Sequence, residues 1–179
     1  MRIIAGHLGG RQFVSPKGNR THPMSDKARG ALFNALGDIT GLTVLDAFAG
    51  SGGIGFEAIS RGAEHVTAID IETNAFKAIT ESAEALGCVD QIEIVRANVG
   101  GWFKSSRQDK RYDIIVCDPP YDALQLPIIE RLSSKINVGG VIVVSLPPKA
   151  RLIMPERCEP LLVKDYGDIT LQFFRRTKI

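Results

Sequence analysis

From Leu42 onward, short runs of branched apolar residues alternate with stretches whose apolar positions recur every three or four residues. The runs Leu42 to Phe48, His65 to Asp70, Ile92 to Ala97, Tyr112 to Asp118 and Val141 to Leu146 each predict a strand. Between them, 54–61, 73–86, a short turn at 100–105 and 126–136 predict helices. The 73–86 segment carries Phe76, Ile79, Ala83 and Leu86 on one face and stops at Gly87. Near-continuous Val/Ile runs separated by helices belong to a parallel sheet covered on both faces. After Pro147 the rhythm changes. Two β-rich stretches, 160–167 and 168–176, meet at Tyr166-Gly167-Asp168 with no helix between, which predicts an antiparallel hairpin at the sheet edge.

Ahead of this lies a smaller zone. Two strand-like pieces, RIIAG and RQFVS, flank Gly9-Gly10, and a loop leads to a helix with Ser25 as N-cap. Ala28, Ala31, Leu32, Ala35 and Leu36 share one face of that helix, and Gly37 ends it. The expected fold is therefore α/β: a doubly wound, mostly parallel seven-stranded sheet with a C-terminal antiparallel hairpin. Residues 1–38 form a small hairpin-plus-helix extension and 39–179 the main domain.

The chain has 179 residues, 44% hydrophobic and 23% charged, which suits one globular domain and excludes two tandem enzymes. No apolar stretch approaches the ~18–20 residues a bilayer requires, and the Gly-broken start is too short for a secretory signal. A soluble, cytoplasmic protein without membrane contact is expected. Cys88, Cys117 and Cys158 are far apart and lack a C-x-x-C pair, so they read as buried small hydrophobes rather than a disulfide or zinc framework. His7 and His65 show no spacing for metal or triad chemistry, and no metal is expected.

Net charge is only +2, but it is unevenly spread. Residues 1–29 hold six basic groups against Asp26, and 171–179 add three more. The 141 residues between carry 13 basic and 19 acidic groups. Basic ends on an acidic body fit termini that touch a phosphate backbone. Lys104, Arg107, Lys110 and Arg111 read as salt-screened surface charge, and Trp102 and Phe103 as core.

Candidate chemistry gathers at the predicted strand tips. Gly50, Gly52 and Gly55 make a G-x-G-x-x-G that opens the first helix and lets a ligand approach backbone N–H groups. Phe48, Ala49 and Ser51 complete that loop as candidate cofactor contacts. Asp46, at the tip of the first strand, would repel a pyrophosphate but attract the ammonium of an amino-acid-bearing cofactor. That favours S-adenosylmethionine over NAD, which stays open. Asp70 closes the second strand, where a carboxylate accepts both ribose hydroxyls. Ile71 would lie flat on an adenine or else belong to the core. Asn98, with Val99 beside it, could pair with the adenine edge or simply form a turn.

The segment Asp118-Pro119-Pro120-Tyr121 follows the fourth strand. Its prolines remove two backbone donors and leave carbonyls that only accept. An exocyclic amine of adenine or guanine is a poor nucleophile because its lone pair is delocalised. With the Asp118 carboxylate and the Pro119 carbonyl each accepting one N–H, the lone pair turns toward a sulfonium methyl, so methyl transfer needs positioning more than a strong base. Tyr121 would stack on the flipped-out base. Asp118 also borders the cofactor.

Together, D-x-F-x-G-x-G at Asp46, the acid at Asp70 and DPPY at Asp118 resemble Rossmann-like adenosylmethionine-dependent N-methyltransferases. The RIIAG-x-x-GG-R start, the 21–34 stretch, the 45–63 run and the closing YGD-x-x-L-x-FF-R are similar to the bacterial small-subunit rRNA guanine-N2 methyltransferase D family. The resemblance implies methylation of one guanine amino group in small-subunit rRNA assembled with ribosomal proteins, and a monomer acting within a ribosomal particle is expected. Arg11, Lys27 and Arg29 are then candidate RNA contacts. His22 stands where the family usually has arginine, and Gly30 where it has glutamate. Competing readings are an adenine-N6 methyltransferase of DNA or RNA, an NAD-dependent oxidoreductase, and a non-catalytic RNA-binding assembly factor.

Overall fold

A computed structural model describes residues 1–18, 23–105 and 109–178; His22 and Arg107, singled out above, lie outside them. Seven strands form one sheet: β1 (Thr43–Asp46), β2 (His65–Asp70), β3 (Ile92–Arg96), β4 (Tyr112–Cys117), β5 (Ile136–Leu146), β6 (Cys158–Tyr166) and β7 (Ile169–Arg176). Their order is β3-β2-β1-β4-β5-β7-β6. β1 to β5 are parallel, and β7 and β6 add antiparallel. The order reverses between β1 and β4, and the crevice outside such a switch point is where open α/β sheets bind ligands.

Alternation along each strand supplies two cores. Val44, Val66, Ile114, Val116 and Val143 face α1 (Asp26–Leu36), α2 (Gly53–Ser60) and α3 (Thr73–Leu86). Leu45, Ile69, Ile115, Ile142 and Val144 face α4 (Val99–Ser105) and α5 (Leu126–Leu132). All three cysteines are free and buried. Among the described residues, no helix is long and apolar enough to cross a membrane.

The N-terminal extension shares the first core through Ile3, Leu8, Phe13, Met24, Leu32 and Phe33. Ser25 caps α1 through its side chain, and Gly37 closes it at φ 77°. The expected hairpin shrinks to a single bridge, Arg2 to Gln12. Its first arm spends its N–H groups elsewhere: Ile4 and Ala5 donate to the Glu57 carboxylate at 2.8 and 3.1 Å, and Leu8 to Ser60 Oγ at 2.9 Å. Gly6 makes this approach feasible, because a Cβ there would sit 1.8 Å from the Ser60 carbonyl oxygen.

Two further boundaries differ from expectation. The predicted strand at 42–48 is shorter, ending at Asp46 where the chain turns into the glycine loop. β5 starts five residues early, at Ile136, and the preceding helix stops at Leu132. Gly139 and Gly140 read as the strand's boundary, yet they lie inside it. A bulge opposite Tyr112 to Ile114 brings Gly140 so close to the Asp113 carbonyl that a Cβ would sit 2.6 Å away.

Candidate active site

At the C-terminal ends of β1, β2, β3 and β4 the sheet opens into a cavity of about 1040 Å³. Four loops build its floor: 47–51, 70–72, 97–99 and 118–122. The extension closes one wall with Met1, Pro23, Met24, Ser25 and Arg29, and the β6–β7 turn supplies Asp168 and Ile169.

Asp70 ties two of these loops together. Its Oδ2 accepts from the Gly50 amide and its Oδ1 from the Glu72 amide, both at 2.8 Å. Each oxygen keeps further lone-pair capacity for ligand hydroxyls. Ile71 beside it is 59% exposed on the cavity wall, which excludes the core reading. Asn98 Oδ1 accepts from the Gly101 amide at 2.6 Å and so starts α4, while its side-chain NH2 remains available toward the cavity it lines. Phe48, Ala49, Ser51 and Val99 also line the cavity.

Asp46 and Gly52 do not. Gly52 packs inward, where a Cβ would meet Phe56 at 2.8 Å and Ile79 at 3.1 Å. Asp46 is 0% exposed, on the α2 side of the sheet, and neither carboxylate oxygen makes a hydrogen bond. Gly55 packs over it, where a Cβ would press on Val66 at 3.2 Å and touch Asp46 Oδ2 at an ordinary 3.8 Å. Burial, then the Asp118 and Asp70 charges, push its pKa up to about 8. The ammonium contact expected of Asp46 is therefore not available at the wall.

At the tip of β4, Asp118 is half-buried, and burial raises its pKa to about 6 while a hydrogen bond with Ser145 opposes the rise. Pro120 O accepts from the Ala123 amide at 2.9 Å, closing a turn. Among the described residues no donor reaches Pro119 O, so it is free to accept. Tyr121 is 40% exposed at the cavity, and its hydroxyl lies 2.9 Å from Ser145 Oγ. A hydroxyl has one proton, so a Ser145 that donates to Asp118 accepts from Tyr121. Burial raises the Tyr121 pKa, Ser145 lowers it, and the Asp118 and Asp168 charges raise it again.

Ser145 is not among the residues the sequence singles out. Its only sequence signal is a lone hydroxyl closing an otherwise apolar run, Val141 to Leu146. Asp122, Asp168 and the extension residues are equally illegible, because the folds of distant segments bring them to this rim.

The three proposed RNA contacts part ways. Arg29 is 1% exposed: it donates to Met24 O at 3.3 Å, Arg2 O at 2.6 Å and Asp26 Oδ1 at 3.0 Å, and lies 3.8 Å from Glu57. It cannot reach an RNA phosphate, because the inward face of α1 carries it into the core as a strut. Arg11 donates to the Ala85 and Leu86 carbonyls at 2.7 and 3.2 Å, capping α3. Lys27 is exposed. Among the described residues no grouping of His, Cys, Asp and Glu could hold a metal ion.

The acids Asp70, Glu72, Asp118, Asp122 and Asp168 make the cavity a place for a positive charge rather than a pyrophosphate. The sulfonium and ammonium of S-adenosylmethionine fit this field, and the exposed Ile71 face fits its adenine.

Comparison with known proteins agrees. The family model described as Conserved hypothetical protein 95 matches residues 1–175. Ribosomal RNA small subunit methyltransferase D of Buchnera aphidicola subsp. Acyrthosiphon pisum is 35% identical over 158 residues, covering 86% of this chain and 82% of that protein. The solved structure of Escherichia coli yhhF has a TM-score of 0.87 at 26% identity, covering 99% of this chain and 98% of that one. SMU.776, solved in complex with SAH, shares the fold with a TM-score of 0.70 at 18% identity, covering 83% of this chain and 48% of its own.

Proposed function

We propose, from the premise that this chain belongs to the Conserved hypothetical protein 95 family, which takes in ribosomal RNA small subunit methyltransferase D, that it transfers a methyl group from S-adenosylmethionine to the N2 amine of a guanine in small-subunit rRNA. The observation that carries this reading is the acceptor pair at Asp118 and Pro119, flanked by Tyr121, at the mouth of an acid-ringed cavity.

Asp70 would hold the cofactor's ribose, Ile71 and Asn98 its adenine, and the 48–51 loop its amino-acid end. Bound there, S-adenosylmethionine supplies an electrophilic methyl group on a sulfonium. The chain's own part is positioning. Asp118 and Pro119 O each accept one hydrogen of the guanine amine, which turns the nitrogen lone pair out of the base plane and into the cavity. Tyr121 stacks on the base, a contact worth about 1–3 kcal/mol. Ser145 holds both Asp118 and the Tyr121 hydroxyl in place. With a pKa of about 6, Asp118 is ionised at neutral pH and accepts the proton that the methylated nitrogen releases.

Lys27, with Arg11 beside α3, carries the RNA contact of the 1–38 extension. The substrate is the rRNA within a ribosomal particle in the cytoplasm. The enzyme works as a monomer.

Incubation with labelled S-adenosylmethionine and undermodified small subunits, followed by nucleoside mass spectrometry, tests the reading. N2-methylguanosine is the expected product. N6-methyladenosine would redirect the assignment to the adenine enzymes, and tight NADH binding with no transfer would overturn it.

A further inference from the structure

Carboxylates ring one end of this sheet, while at the other a cluster of cations surrounds a few acids, Glu93, Asp109 and Asp113. Asp70, Glu72, Asp118, Asp122 and Asp168 ring the cavity. Around the other end, where β4 and β5 begin and β7 finishes, stand Lys110, Arg111, Arg131, Lys135, Arg157 and Arg176. Arg111 and Asp118 flank β4 on either side and are thus separated by its length, six residues or roughly 20 Å.

The cations at this foot converge on shared partners. Arg111 and Arg176 both donate to the Ser134 carbonyl, Arg176 at 2.9 Å, and Arg176 also donates to Ile136 O at 2.5 Å. Arg131 Cζ and Lys135 Nζ each lie 5.5 Å from the centre of the Phe103 ring. Carbonyl oxygens just beyond α5 and an aromatic face hold these groups. Among the described residues the ion pairs join Arg2 and Arg29 to Asp26, Arg29 and Arg61 to Glu57, Arg151 to Asp165, and, at the foot, Lys110 to Glu93 at 2.6 Å. None of those pairs includes Arg111, Arg131, Arg157 or Arg176.

Lys135 and Arg176 are buried, so they cannot themselves reach a large partner. Arg111 and Arg131 are exposed and Arg157 half-exposed. Burial and then the Arg111 charge hold Lys135 and Arg176 below their ordinary proton affinity, with Asp109 partly relieving Lys135. Crowded like charges fixed on a rigid strand edge are unfavourable alone and are relieved by a polyanion.

We infer that this basic foot is a second rRNA-binding surface, in which Arg111, Arg131 and Arg157 hold phosphates of the substrate well away from the base being methylated. The inference rests on the proposed rRNA substrate. Guanidinium forks suit phosphate oxygens, and a substrate gripped at one end of the sheet by its base can reach the other with its backbone. The acidic rim of a second copy offers the same charge, and the test separates the two.

Binding of small-subunit rRNA transcript is measured across a salt series for the wild type, Arg111→Ala/Arg131→Ala and Arg111→Lys/Arg131→Lys. Each lost phosphate contact flattens the log–log salt slope by about 0.7–0.9, so the Ala pair should flatten it by about 1.5 and weaken binding at least tenfold. The Lys pair should keep most of the slope. S-Adenosylmethionine affinity and melting temperature control for folding. Turnover at saturating undermodified subunits should stay near wild type while KM rises. An unchanged slope in a folded Ala pair overturns the inference and leaves the methyltransferase reading intact. A wild type that neither binds nor methylates rRNA overturns both. Concentration-dependent dimerisation abolished by the Ala pair, with rRNA affinity unchanged, overturns the inference and assigns the foot to a second copy instead.

Discussion

The Tyr121 hydroxyl and Ser145 Oγ lie 2.9 Å apart, joining the tip of β4 to the tip of β5 through a serine that is itself fully buried. Since Ser145 also bonds Asp118, one side chain fixes both the stacking ring and the acceptor carboxylate. Ser145→Ala should lower kcat/KM about tenfold, the cost of a hydrogen bond to a charged group being about 1.5 kcal/mol. It should also move the acid limb of the pH profile upward, because the bond that opposed the rise in the Asp118 pKa is gone. S-Adenosylmethionine affinity, read by calorimetry, should not change. Tyr121→Phe, which keeps the ring, should cost less than Tyr121→Ala.

Asp118 must be a carboxylate to accept an N–H. With its pKa at about 6, kcat/KM should fall about tenfold per pH unit below that value and level off above it. Asp118→Ala should cost at least a hundredfold in turnover while cofactor binding persists. A variant that turns over like wild type would sink the assignment of the acceptor pair.

Asp46 binds its proton up to about pH 8 in the fold, against 3.8 as the ordinary value. A raised acid pKa contributes stability that is complete below the unfolded value and lost as pH climbs through the folded one. The melting temperature of Asp46→Asn should therefore gain on wild type between pH 5 and pH 8.5, by about 2–4 °C for each kcal/mol. Comparing the two proteins cancels the similar but lower-lying contribution of Asp118. The same substitution should leave S-adenosylmethionine binding at neutral pH nearly unchanged, since the protonated Asp46 carries no charge there and lies off the cavity wall.

Glu57 has four calls on its two oxygens: the Ile4 and Ala5 amides, Arg61 at 2.8 Å and Arg29 at 3.8 Å. Glu57→Ala removes the Arg61 partner and a nearby counter-charge of the buried Arg29, leaves two amides unpaired, and should cost about 3 kcal/mol, measured by denaturant unfolding. Gly6→Ala attacks the same junction sterically, combining a φ of +82° with a Cβ 1.8 Å from Ser60 O. It should destabilise by about 2 kcal/mol or more. If the extension melted separately in either variant, early cleavage by a protease before residue 38 would reveal it.

Local patterns in the sequence determined the strands and helices, the glycine loop and the Asp118 to Tyr121 turn, because periodicity, caps and proline chemistry act over a few neighbouring residues. Asp70 and Ile71 were legible for the same reason: a strand tip in this topology meets the ligand crevice. Tertiary structure alone decided that Arg29 is a core strut, that Asp46 is buried off the cavity wall, and that Ser145 braces Tyr121. It also decided that cations from β4, α5 and β7, separated by up to 65 positions between Arg111 and Arg176, gather at one end. Burial and charge proximity depend on which distant segments pack together, and no window along the chain contains that information.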